Sequence, residues 1–126
     1  MKPTRVVPSY HKTNYYMMKT QNYTSETINL AKLFDALSNP ARLQIVETLA
    51  MKKTCTAGEI SDSLPLCRST VSEHLSKLKD TGLIRCNPSG ICLNYEINPD
   101  RLKELRKLYC QFLNKIFMEN EIPECH

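Results

Sequence analysis

With 126 residues, 41% of them hydrophobic, the chain has material for one modest core and hardly for two. No run approaches the roughly 18 apolar residues of a membrane span, and the N-terminus lacks the apolar block of a secretory signal, so the chain is expected in the cytoplasm with no membrane partner. Three histidines, three glycines and no glycine-rich phosphate loop or nucleophile elbow argue against an enzyme, while a net charge of +4 suits a nucleic-acid partner without demanding one.

Residues 1–23 hold two prolines, four of the six tyrosines and the cations Lys2, Arg5, Lys12 and Lys19, with no helical stripe; they read as a flexible arm outside the core. From Thr24 the pattern turns helical, with Leu30, Ala31, Leu33, Phe34 and Leu37 clustered on one side. Ser38-Asn39-Pro40 ends that helix, and Asn39 can cap the next, with Pro40 in its first position and Leu43, Ile45, Val46, Leu49 and Ala50 as its buried side. Thr56-Ala57-Gly58-Glu59 is a capping-box signature, so a third helix is expected from there to about Leu64, stopped by Pro65. A fourth helix follows over roughly 69–81 and closes at Gly82.

In this fourth helix Val71, Leu75 and Leu78 recur at helical spacing, while Arg68, Ser69, Ser72, Glu73, Ser76 and Lys77 fall on the other faces. Two short helices joined by a tight turn form a helix-turn-helix, and a row of small polar side chains turned outward is what a DNA major groove can admit. A protein-binding face would instead offer aromatic or aliphatic anchors.

After Gly82 the periodicity becomes alternating: Leu83-Ile84-Arg85-Cys86, a turn at Asn87-Pro88-Ser89-Gly90, then Ile91, Leu93, Tyr95 and Ile97 on one face, a β-hairpin. Asn98-Pro99 opens a last helix to about Met118, where Leu102, Leu105, Tyr109, Phe112 and Ile116 step by three and four residues. So small a domain leaves much of that seam uncovered, and a second copy of the chain is the expected cover, with packing on the chain's own first helix as the alternative. The folded unit is thus expected over residues 24–118, with a tail over 119–126. Six scattered cysteines without a C-x-x-C pair read as thiols, mostly small buried hydrophobes.

The expected fold is mainly α with a β-hairpin wing, a winged helix-turn-helix in the order α-α-α-α-β-β-α. In Leu37-Ser38-Asn39-Pro40-Ala41-Arg42-Leu43-Gln44-Ile45 and in Ser69 through Ile84 it resembles the ArsR/SmtB family of bacterial transcriptional repressors. The resemblance spans residues 30–97. It implies a homodimer that binds a palindromic operator on double-stranded DNA. Carried over by position, it gives Arg68, Ser69, Ser72 and Glu73 as base-facing residues, Thr70 near the backbone, and His74 as a packed or capping histidine. Lys77, Lys79 and Arg85 suit phosphates.

Metal-sensing members carry Cys-x-Cys at the start of the third helix; those positions are Thr56 and Gly58 here, with Cys55 alone nearby. Residues 99–118 contain no histidine, so neither metal site of the family is expected, and no cofactor. Cys55 with Cys110 is the dithiol pair the resemblance would bring nearest. Cys67 stands where a serine-like cap usually begins the fourth helix, leaving Ser69 or Thr70 as the expected cap. Two other readings remain open: a winged-helix module that binds protein and no operator, and a DNA-binding repressor with no small-ligand or metal sensing.

Overall fold

The computed structural model describes residues 22–89 and 92–120. Most of the expected arm, the wing tip at Gly90 and Ile91 and the last six residues of the tail lie outside the described residues.

Helix α1 (Ser25–Leu37) starts where the Thr24 hydroxyl accepts from the Thr27 amide at 3.1 Å. Helix α2 (Pro40–Lys52) is capped as its sequence suggests: Asn39 Oδ1 accepts from the Ala41 and Arg42 amides at 2.8 and 3.4 Å. It ends abruptly at Lys53, whose φ of 74° lets the Thr54 amide reach back to the Lys52 carbonyl at 2.9 Å. That tight three-residue turn throws the chain into β1 (Cys55–Thr56).

Thr56 is both the last residue of β1 and the cap of α3 (Ala57–Asp62), and the capping box is complete. Its hydroxyl accepts from the Glu59 amide at 3.1 Å while the Glu59 carboxylate accepts from the Thr56 amide at 2.8 Å. Helix α4 (Arg68–Asp80) closes at Gly82 (φ 82°) in a Schellman arrangement: the Leu83 amide donates to Leu78 and the Gly82 amide to Lys79, with Leu83 and Leu78 both buried.

Strands β2 (Ile84–Ser89) and β3 (Cys92–Ile97) form the wing, and helix α5 (Pro99–Asn120) completes the unit. The architecture is a mostly helical winged helix-turn-helix with a small antiparallel sheet of order β1-β3-β2. The core joins Leu30 and Leu33 of α1, Ile45 and Leu49 of α2, Ile60 of α3, the apolar side of α4, Leu83, Ile84 and Leu108.

Several expectations change. Strand β1, unseen in the sequence, pairs Cys55 with Tyr95 and Thr56 with Asn94. Asn87, Pro88 and Ser89 belong to β2, in register with Asn94, Leu93 and Cys92, rather than to the turn; Pro88 is tolerated because β2 is an edge strand. In α2, Leu43 and Ala50 are exposed, and the interior position goes to Arg42. The buried residue of α5 is Leu108, which the expected seam did not include, while Tyr109 and Phe112 of that seam stay exposed within the chain.

A candidate nucleic-acid interface

The helix-turn-helix is α3, the turn through Leu64-Pro65-Leu66, and α4. Val71, Leu75 and Leu78 are fully buried and fix the rotation of α4 about its axis. That rotation exposes Arg68, Ser69, Ser72, Glu73, Ser76, Lys77 and Lys79 and leaves Thr70 half-buried, so the sequence-expected row lies together on one helix.

The helix begins at Arg68, one residue earlier than expected, with Cys67 in the cap position and no side-chain cap bond, so neither Ser69 nor Thr70 is the cap. Both hydroxyls instead lie 3.2 Å from the Cys67 sulfur, and their hydrogen bonds, Ser69 first, bring this exposed thiol down to about 7. Arg68 folds back over α3: a side chain at Gly58 would place its first carbon 3.1 Å from Arg68 Nη2. At the wing, Arg85 donates to Glu96, its direct cross-strand partner, at 2.7 Å, so the guanidinium that the sequence suggests for a phosphate is already paired within the chain. The Arg85 bond, then one from Asn87, holds the Glu96 carboxyl below its ordinary range.

Behind the helix lies a buried polar junction that the sequence did not disclose. Helix α1 ends at Leu37, so the carbonyl of Ala36 in its last turn needs a donor from elsewhere, and Arg42 Nε supplies it at 2.6 Å. The same guanidinium reaches the Asp35 carbonyl at 3.4 Å and His74 Nδ1 at 3.0 Å. A guanidinium only donates, so Nδ1 accepts and the ring is neutral with its proton on Nε2. Burial, then the Arg42 charge, push His74 below its ordinary 6.5, against a smaller opposing pull from Glu73.

As pH falls, the unfolded chain therefore takes up this proton first: the stability His74 contributes is complete above about pH 6.5 and is lost on acidification through the native pKa. The urea midpoint of the full chain is expected to drop less between about pH 7 and about pH 5 in His74→Gln than in the wild type. Equal drops would show that His74 does not titrate against Arg42.

Against known proteins, residues 39–85 match the model of the bacterial regulatory protein arsR family. An HTH-type transcriptional regulator of Methanocaldococcus jannaschii is 36% identical over 78 residues, covering 62% of this chain and 88% of the relative. The chain belongs to the ArsR family. It is a DNA-binding transcriptional regulator and not an enzyme. The transcriptional repressor PagR of Bacillus anthracis is also 36% identical over 78 residues, covering 62% of this chain and 78% of PagR. The fold agrees with the solved ArsR-like transcriptional regulator from Rhodococcus sp. RHA1, at a TM-score of 0.65 and 26% identity over 79% of this chain and 87% of that one.

The metals that some ArsR members sense do not fit the residues present. At the start of α3, the Thr56 hydroxyl is occupied by the Glu59 amide, Gly58 offers no donor, and the Arg68 cation lies over it. On α5, Glu104 is already held by Arg101 and Asn29. Cys55 is 1% exposed, in register with Tyr95, and burial raises its thiol above its ordinary range. Cys110 opens to solvent on α5; both are free thiols, and the structure does not join them. Cys86 flanks Tyr95 on its other side, and its sulfur lies 4.0 Å from Lys79 Nζ.

Proposed function

We propose that this chain is a cytoplasmic homodimeric repressor whose two α4 helices enter successive major-groove segments of a palindromic operator and exclude other proteins from that DNA. The observation that carries the reading is the division of α4: three side chains buried to the last few per cent, and a short, polar, exposed row opposite them. Arg68 pairs with guanine, Ser69 and Ser72 donate or accept at base edges, and Glu73 accepts from a cytosine amino group. Thr70, Lys77 and Lys79 address the backbone, with Arg85 contributing less because of Glu96.

Support for the dimer comes from α5. It is 22 residues, about 33 Å, and leaves Tyr109 and Phe112 about 45% exposed beside half-buried Leu102, Leu105 and Ile116. An apolar groove of about 370 Å³ runs between α1 and α5, lined by Phe34, Leu37, Leu102, Leu105, Arg106 and Tyr109, with Phe34 and Tyr109 meeting edge to face at 5.8 Å. A second copy laid along this groove continues a seam that already runs the length of the helix.

The test is selection of genomic fragments bound by the full chain, followed by titration of the best fragment. An inverted-repeat consensus, a dimer by sedimentation, and affinity falling steeply with salt are expected. Binding with no common sequence, or to a lone half-site by a monomer, would contradict it.

A further inference from the structure

Besides the long Lys79–Cys86 contact with the wing, directional bonds tie helix α4 to the other helices at two points along its axis among the described residues. One is the Arg42–His74 contact at mid-helix. The other is Arg101, near the start of α5, whose Nε donates at 2.7 Å to the carbonyl of Thr81, the residue that ends α4. The rest of the Arg101 fork goes elsewhere: Nη2 donates to Asn29 Oδ1 of α1 at 2.7 Å and Nη1 to Glu104 Oε1 of α5 at 2.6 Å, while Asn29 Nδ2 closes the ring on Glu104 Oε2 at 3.1 Å. The aliphatic stem lies across Gly82, where a side-chain carbon would sit 3.6 Å from Arg101 Cγ.

One planar cation thus binds an end carbonyl of the reading helix and, through fixed geometry, both helices of the apolar seam. The core contacts of α4 are apolar and set its depth and rotation over Val71 to Leu78, and the directional bonds at mid-helix and at its C-terminal end add restraints on its angle. With Arg42 as one fixed point and Arg101 as the other, the tilt of α4 relative to α1 and α5 is determined.

We infer that Arg101, positioned by Asn29 and Glu104, sets the angle of α4 against the α1–α5 frame and so fixes the half-site spacing that the regulator accepts. This rests on the dimeric reading proposed above. In a two-fold dimer a change of tilt moves both α4 helices by the same two-fold-related displacement, and their separation has to match one turn of DNA, roughly 34 Å. Arg101 is a positioning residue in this account and touches no base.

The test uses the full chain and a duplex selected by the wild type from a random library, remade with its central spacer lengthened or shortened by one base pair, plus a single half-site duplex. The variants are Arg101→Met, which keeps the stem over Gly82 and removes the fork, and Arg101→Lys, which keeps the charge alone. The wild type is expected to reject the altered spacings by about 10-fold or more. Arg101→Met should stay dimeric, hold its half-site affinity within about 3-fold, and lose most of that discrimination; Arg101→Lys should not restore it.

An unchanged spacing profile in Arg101→Met would overturn the inference. So would a parallel loss on every duplex, half-site included, which marks a plain loss of fold. A wild type indifferent to spacing would overturn the dimeric reading itself, and this inference with it.

Discussion

Arg42→Met is expected to cost the folded domain about 2–5 kcal/mol, a large share of the roughly 5–15 kcal/mol that holds a domain of this size together. Methionine fills much of the arginine's path, so little of the loss comes from a cavity. What disappears is the donor set: the Ala36 carbonyl in the last turn of α1 and the His74 ring nitrogen each lose the hydrogen bond that Arg42 gave them. The Asp35 carbonyl suffers least, because the Ser38 hydroxyl still donates to it at 2.8 Å.

Arg42→Lys is expected to recover little of this, since a single ammonium cannot span a carbonyl on α1 and a ring on α4 in the plane of the guanidinium. Urea unfolding of the full chains measures it, as a lowered midpoint at unchanged slope. A loss below about 1 kcal/mol would mean that water replaces the guanidinium and the junction is not structural.

Phe112→Glu is expected to separate the dimer and weaken binding to a two-half-site duplex by about 100- to 10,000-fold, with half-site binding nearly unchanged. In the single chain Phe112 is 45% exposed, so the folded domain should lose no more than about 0.5 kcal/mol. Across a seam, however, two carboxylates would be brought together in an apolar contact, and charge without a partner is poorly tolerated there. Sedimentation velocity and fluorescence anisotropy on both duplexes separate these effects. A Phe112→Glu chain that remains dimeric would place the interface elsewhere.

Local chemistry was legible in the sequence and distant chemistry was not. The Thr56–Glu59 box, the Asn39-Pro40 start and the Gly82 stop rest on atoms within a few residues of each other, so spacing alone revealed them. Strand β1 is two residues long and exists because Cys55 and Thr56 pair with Tyr95 and Asn94, some forty positions on, which no local pattern encodes. The same holds for Arg101 and Asn29, 72 residues apart.

Arg42 was missed for another reason. An arginine in a helical stripe reads as surface, and its partners on α1 and α4 are set by packing that no local pattern encodes. Periodicity also tells which side chains share a face but not whether that face is covered within one chain, which is why it places Leu43 and Ala50 inside although both are exposed. For α4 the two questions had the same answer, and the exposed row matched its expectation.

The most direct measurement of the central claim, that the outward face of α4 reads base edges, compares the base-preference profiles of Arg68→Ala and Lys79→Ala on a library built around the selected operator. Arg68→Ala is expected to relax preference by about 1–3 kcal/mol at one position in each half-site, and Lys79→Ala to weaken all duplexes alike and lower the salt slope by about one. If both changes weaken every sequence equally, or neither alters binding, α4 does not read the DNA and the reading fails.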